Sequence, residues 1–220
     1  MKWVYILAGV AFYIKMLVMS DGGIGFDGMA VMESLVQESG VSNAVSGIIF
    51  RNRLYDTIFE VVVFSISIMG VSYLLADEEP HGTVFQFKDH PSIVLARLGA
   101  TIAALIAIEL AIRGHLSPGG GFAAGVAGGT AIGLIAITSS AQWMQEIYKK
   151  WHAATVEKVS VLLFILFALL SLSGLALPHG ELGNLVSGGW VPLLNILVAL
   201  KVTLGSWAAI LLFIRYRGLL

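Results

Sequence analysis

The chain has 220 residues, of which 57% are hydrophobic and 12% are charged, against roughly 25% charged residues in an average soluble domain. Its mean hydropathy of +0.87 is typical of a membrane protein. The net charge of −1 gives no indication of nucleic-acid binding, and the lack of cysteine excludes disulfides, thiolate metal sites and cysteine nucleophiles.

Six apolar segments approach the roughly 20 residues that a bilayer crossing requires. The first contains Lys15 and no small-residue cleavage site follows it, so we interpret it as a retained helix rather than a signal peptide. The sequence therefore predicts an all-α membrane protein with about six transmembrane helices, at Trp3–Ser20, Tyr55–Ala76, Ile93–Arg113, Gly121–Ser139, Lys158–Leu177 and Val191–Ile214.

The basic residues indicate how these helices are oriented. Six spans place both termini on one side, together with Lys88, Lys149 and Lys150. The opposite side mixes arginines with several carboxylates. Because loops rich in lysine and arginine stay in the cytoplasm, we expect both termini to be cytoplasmic, in a multi-pass protein of a prokaryotic cell membrane.

A polar, acidic linker at residues 79–91 interrupts the apolar segments and contains Pro80 and Pro91. It divides the chain into a two-helix module, residues 1–78, and a four-helix module, residues 92–220. No internal repeat relates the two modules, so the inverted-repeat design of many transporters is not supported.

The third and fourth predicted spans are joined by the sequence GHLSPGGGF, from Gly114 to Phe122. Pro118 suits the first turn of a helix, so it predicts a helix restart at that point. Three glycines, Gly119, Gly120 and Gly121, leave the backbone uncovered by side chains. The loop is interpreted as a closely packed restart; a mobile hinge is the alternative.

Small residues continue along the fourth span at a spacing of four, at Gly121, Gly125, Gly129 and Gly133. In a membrane such a face lets another helix backbone approach closely. The pattern predicts that this helix packs against protein, either within the chain or across a subunit boundary.

Ionisable side chains within the predicted spans are candidates for function because their burial in lipid is costly. Asp56 and Glu60 lie four residues apart, on one face of the second span. Glu109 is near the end of the third span, and Lys201 is near the middle of the sixth. A buried lysine must meet a carboxylate, line a wet cavity or lose its proton.

Local roles are the alternatives for three of these candidates. Asp56 can interact with nearby arginines at the helix end, and Glu109 can pair with Arg113 one turn later. His115, beside the glycine loop, is either a proton relay near neutral pH or a hydrogen-bonding loop residue. No histidines are placed for haem ligation and no nucleophile motif occurs, so neither a cofactor, a resident metal nor a catalytic residue is expected.

Together these features resemble a known family. The sequence RGHLSPGGGF is similar to the RGHNxPGGGF signature of the B-type subunit in Mrp-type multisubunit cation/proton antiporters, with Leu116 and Ser117 in place of Asn and the variable residue. LNILVALKV resembles the lysine-bearing last helix of that subunit. This resemblance covers residues 92–220.

The first module resembles the C-terminal part of the large A-type subunit of the same complexes. Its segment NAVSGIIFRNRLYDTIFE is similar to a pattern in which Asp56, Thr57 and Glu60 occupy the matching polar positions. Related subunits also occur in membrane-bound hydrogenases and sulfane reductases. The resemblance thus implies a fusion of pieces from two subunits that belongs to a multisubunit ion-translocating complex.

From the residues and the resemblance we expect Asp56 and Glu60 to lie on the ion route, with transient Na⁺ contact because hard cations prefer oxygen ligands. Lys201 is expected to couple protonation to ion passage, with His115 and Glu109 as secondary relays. The expected partners are other Mrp-like subunits, the lipid bilayer, Na⁺ and H⁺. A purely structural scaffold in a redox-driven complex is the alternative.

Overall fold

The computed structural model describes residues 28–80, 84 and 86–218, together with residues 10 and 14. All regular structure in these residues is helical, which confirms the predicted fold class. The helices are α1 (Gly28–Ser39), α2 (Ala44–Gly47), a π-helical turn (Ile48–Asn52), α3 (Leu54–Leu74), α4 (His90–Arg113), α5 (Gly121–Ala136), α6 (Ala141–Lys150), α7 (Ala153–Leu172) and α8 (Val191–Arg217).

Four helices in this part of the chain, α3, α4, α7 and α8, are long and apolar enough to cross a membrane. The predicted fourth span is shortened to α5, whose 16 residues extend about 24 Å. The predicted first span, Trp3–Ser20, lies outside the described residues. The cytoplasmic location of both termini stays a prediction.

The chain divides into two compact units, Met1–Ser34 and Leu35–Leu220. All of the candidate residues described below belong to the second unit. The sequence-based boundaries at residues 78 and 92 stay a prediction.

The start of α7 corrects the sequence analysis. The fifth span was expected to begin at Lys158, but α7 begins at Ala153, directly after His152 with its left-handed φ of 48°. The helix therefore includes Glu157, a carboxylate that the predicted span left out. An additional short amphipathic helix, α6, connects α5 to α7.

Helix α8 is the centre of the fold, because α3, α4, α5, α6 and α7 all pack against it. Its interface with α5 depends on small residues: a methyl group at Gly129 would lie 2.7 Å from Ser206 Cβ, and one at Gly121 would lie 2.6 Å from the Asn195 carbonyl oxygen. The glycine face of α5 is therefore occupied by α8 of the same chain.

Candidate functional site

The most deeply buried charge in the described part of the chain is the ammonium group of Lys201. This residue lies ten residues, or about 15 Å, from the start of α8, and its side chain is 0% exposed. Its Nζ lies 3.2 Å from Oε1 of Glu157 on α7, whose side chain is 15% exposed. Of the three possibilities open for this lysine, the structure shows the first, contact with a carboxylate.

An aromatic ring, that of Phe64, also contacts the ammonium group of Lys201. Nζ of Lys201 lies 4.0 Å from the centroid of the Phe64 ring on α3, a geometry in which the ring face attracts a cation. Gly205 makes this approach possible, because a Cβ there would lie 2.7 Å from Phe64 Cε1 and 3.5 Å from Nζ. Three helices from both sequence modules therefore build the site.

The ammonium group has three donors, yet it forms no well-aligned hydrogen bond with the described residues. Its charge is stabilised by the carboxylate and the ring face. Since buried charges otherwise carry a large desolvation penalty, the charge state of Lys201 depends strongly on that of Glu157. We call Lys201, Glu157, Phe64 and Gly205 the lysine site.

Helix α6 brings Tyr148 towards this site. Burial raises the pKa of the Tyr148 hydroxyl, and the negative charge of Glu157 raises it further. Its ring packs edge-on against Trp207, with 5.2 Å between the ring centroids. Tyr148 therefore links the lysine site to the amphipathic helix at the end of the bundle where α7 begins.

Asp56 and Glu60 have a different environment. Oδ2 of Asp56 accepts a hydrogen bond of 2.6 Å from Nε of Arg53, the local interaction that was the alternative for this residue. Glu60 is exposed on the surface of α3, about 9 Å from the start of the helix. Neither carboxylate forms an ion pair with Lys201, whose partner among the described residues is Glu157.

Glu109 and Arg113 form the expected local ion pair on α4. The distance from Arg113 Nη1 to Glu109 Oε1 is 3.0 Å, and more than half of each side chain is exposed. The structure does not bring either residue into contact with the lysine site.

His115 is 0% exposed, in the loop between α4 and α5. Burial lowers its pKa, and the backbone carbonyl groups of Asn184 and Leu185 partly oppose this effect. The neutral form of the ring is therefore favoured at neutral pH, as burial without a counterion requires.

The glycine loop, Gly114 to Phe122, binds the side chain of Asn43, the residue that caps the start of α2. The Asn43 side-chain amide donates to the carbonyl oxygens of Gly114 at 2.9 Å and Ser117 at 2.8 Å, and its backbone N–H donates to His115 O at 3.1 Å. Ser46 Oγ donates to Gly114 O at 2.6 Å. These contacts join the two sequence modules at the loop.

Asn195 of α8 closes the same loop from the other side. Its amide donates to Leu110 O at 3.0 Å and Ala111 O at 2.7 Å, so it binds two carbonyl groups that the end of α4 leaves without helical partners. A methyl group at Gly114 would lie 2.7 Å from this amide nitrogen. The loop is therefore closely packed, in agreement with its interpretation as a rigid restart.

The position of the restart differs from the expectation for Pro118. Helix α5 begins three residues later, because Gly119 and Gly120 have φ values of 145° and 97° that no right-handed helix contains. Phe122, in the first turn, packs against the core.

Sequence reasoning missed Glu157, Phe64, Tyr148, Asn43 and Asn195. A carboxylate just before an apolar segment was a usable signal for Glu157. The remaining four have no charge and contribute only through contacts that the tertiary structure creates.

Comparison with known proteins agrees with this architecture. Residues 91–208 match the profile of the family described as "Domain related to MnhB subunit of Na+/H+ antiporter". A protein of Rhizobium meliloti (strain 1021), described as the A/B subunit of a probable K⁺/H⁺ antiporter, is 27% identical over 140 residues, which cover 52% of this chain and 14% of that protein. The chain thus spans a small part of this curated relative.

Two solved structures share the fold. A chain of the membrane-bound sulfane sulfur reductase, an archaeal respiratory complex, superposes with a TM-score of 0.71 and 24% identity over 97% of this chain and 98% of that one. A chain of the Mrp complex from Dietzia sp. DQ12-45-1b gives a TM-score of 0.67 and 19% identity over 95% of this chain and 25% of that one.

The family match covers more than half of the chain and contains the glycine loop, Glu157 and Lys201. Four helices in the described part of the chain are also long and apolar enough to cross a membrane. The chain is therefore a multi-pass membrane protein that belongs to the family of domains related to the MnhB subunit of Na⁺/H⁺ antiporters.

Proposed function

We propose that this chain is a membrane subunit of an Mrp-type cation/proton antiporter module and takes part in its ion path. The family match and the antiporter relative support this role. The partners in this proposal are other Mrp-like subunits in a prokaryotic plasma membrane, with Na⁺ and H⁺ as the transported ions. The two structural relatives, which are chains of multisubunit complexes, support such an assembly.

The lysine site is the observation that carries the proposal. A fully buried ammonium group faces one carboxylate at 3.2 Å in a medium where an uncompensated charge is costly. If a proton or a metal cation neutralises Glu157, the ammonium group loses its counterion and release of its own proton becomes favourable. The pair therefore has the properties of a charge switch that couples two cations.

Asp56 and Glu60 are the proposed oxygen ligands of the metal cation. Glu60 is exposed within a membrane-spanning helix, so a polar partner or water must face it from outside this chain. The cation route accordingly runs along the outer surface of α3, against a neighbouring subunit. His115 and Glu109 lie near the end of the bundle where α3 begins, and they are the proposed secondary proton relays.

Substitution of charges in membrane vesicles tests this mechanism. Glu60→Ala should abolish Na⁺-dependent antiport while the complex remains assembled, whereas Glu79→Ala, which removes an exposed carboxylate after α3, should leave antiport unchanged. Full antiport by the Glu60→Ala variant would remove the carboxylate route from the proposal.

The lysine site needs a double variant, because single changes leave a buried charge unpaired. Lys201→Met combined with Glu157→Gln removes both charges and keeps similar volumes, so the complex should assemble without antiport. An assembled double variant that still transports ions would show that the pair is structural.

A scaffold role in a redox-driven complex is the second candidate. One observation favours it: a chain of the membrane-bound sulfane sulfur reductase, an archaeal respiratory complex, shares the fold with a TM-score of 0.71. The identity of copurifying subunits distinguishes the two roles. An iron–sulfur partner would indicate the respiratory complex, and Mrp-like subunits alone would indicate the antiporter.

A further inference from the structure

An apolar groove lies between α4, α5 and α6, at the end of the bundle where α4 begins. Its volume is about 380 Å³, and its wall includes Ala100, Thr101 and Ala104 of α4, Ile132 of α5, and Trp143 and Ile147 of α6. Nothing in the lysine site or the glycine loop uses this groove.

Two cations share the helix faces that line the groove. Arg97 precedes Ala100 by three residues and Thr101 by four, so it lies on the same face of α4, one turn closer to the start of the helix. Lys150 follows Ile147 by three residues on α6. Both are exposed, and neither forms an ion pair with a carboxylate of the described residues.

Arg97 is within a membrane-spanning helix, where an arginine without a counterion is costly. Helix α6 is amphipathic, and a helix of this kind lies in the plane of the membrane interface. Trp143 and Trp151, which are 45% and 65% exposed, line the groove at this level, where tryptophan is enriched in membrane proteins. Arg97 and Lys150 therefore lie on the helix faces beside the groove, at the level where lipid headgroups are expected.

We propose that the groove binds one acidic phospholipid. The acyl chain lies against Ala100, Ala104 and Ile132, and the phosphate contacts Arg97, with Lys150 at the headgroup. A single amphipathic molecule accounts for the apolar wall, the unpaired cations and the tryptophans at once. A neighbouring protein would have to supply both a carboxylate for Arg97 and apolar side chains for the groove, and lipid quenching of Trp143 distinguishes that case. The lipid site is independent of the proposed ion transport.

Tryptophan quenching by brominated lipids tests the site in the assembled complex. The complex is placed in nanodiscs of phosphatidylcholine with or without phosphatidylglycerol, with bromine on the acyl chains of one lipid at a time. The signal of Trp143 is the difference between the wild-type chain and Trp143→Phe. We expect brominated phosphatidylglycerol to be preferred about five-fold for each cation that it contacts.

Two variants test the contact with the lipid headgroup and the contact with the acyl chain separately. Arg97→Gln should reduce the preference for phosphatidylglycerol by about five-fold, while Ala104→Phe should fill the groove and reduce quenching by both lipids. Arg215→Gln, which removes a cation at the end of α8 outside the groove, should change neither. Comigration with the other subunits on a native gel shows that each variant assembles.

Two outcomes would overturn the proposal. An unchanged preference in assembled Arg97→Gln would show that the arginine does not select the lipid. Absence of Trp143 quenching by either lipid in the wild-type complex would show that another protein covers the groove.

Discussion

Helices α8 and α3 each carry a charged side chain within a membrane span, Lys201 and Glu60, but only Lys201 is paired within the described residues. Lys201 on α8 is completely buried and finds Glu157 and Phe64 within the same chain. Glu60 on α3 is exposed and has no ion pair within the described residues. The best membrane-spanning window of α8 is 39% buried inside the chain, against 11% for that of α3. The comparison indicates that the charge of Lys201 is compensated within the chain, whereas that of Glu60 requires water or a polar group from outside it.

The largest effect is expected from Glu157→Gln. The change leaves the Lys201 ammonium group buried without a counterion, which costs about 3–5 kcal/mol in comparable pairs. We expect severe loss of assembled complex, measured as the yield of intact complex after mild heating. Adding Lys201→Met should restore much of the yield, and failure to do so would argue that Glu157 has another structural role.

A smaller effect is expected where α8 meets α5. Gly129→Ala places a methyl group 2.7 Å from Ser206 Cβ, and overpacking of this kind costs about 1–3 kcal/mol. Gly133→Ala is the matched control, because its methyl group would lie 3.7 Å from Ile210 Cδ1, an ordinary contact. Equal thermal stability of the two variants would contradict the observed helix packing.

The ring of Phe64 contributes less than the carboxylate. Phe64→Leu keeps an apolar side chain but removes the ring face, and a desolvated cation–π contact is worth about 2 kcal/mol. We expect a modest loss of thermal stability of the complex, since the Lys201 charge is then stabilised by Glu157 alone. The exposed Phe59 offers a control: Phe59→Leu should leave the thermal stability unchanged.

The smallest effect on stability is expected from Glu60→Gln, because an exposed side chain without contacts typically changes stability by less than about 0.5 kcal/mol. The same variant should nevertheless transport poorly if α3 borders the cation route. A destabilised complex would instead show that Glu60 pairs with a cation of a neighbouring subunit, which would favour the scaffold role.

Much of the architecture was predictable because hydrophobicity is a local property. The apolar segments predicted the helices α3, α4, α5, α7 and α8, and the fold class is confirmed. Their ends were less predictable. The start of α7 depends on the left-handed backbone at His152, a residue type that gives no strong turn signal, and this one boundary decided whether Glu157 was recognised.

The candidate site was predictable only in part. Lys201 was identifiable because a lysine within an apolar helix is conspicuous in any sequence. Its partner, Glu157, lies on another helix, and a local sequence pattern does not indicate which residues of different helices come into contact. Phe64 and Gly205 were not identifiable, since an apolar residue and a small residue are ordinary in a membrane helix until an ammonium group lies beside them.

The glycine loop shows the same division. Hydrophobicity, backbone freedom and charge are properties of the sequence, and they predicted a helical membrane protein, a helix restart at GHLSPGGGF and a need to compensate the charge of Lys201. Packing of the helices is what brings Asn43 to the loop, the glycines of α5 to α8 and Glu157 to Lys201. Those outcomes depend on which surfaces meet, and contacts between distant residues arise only when the helices pack.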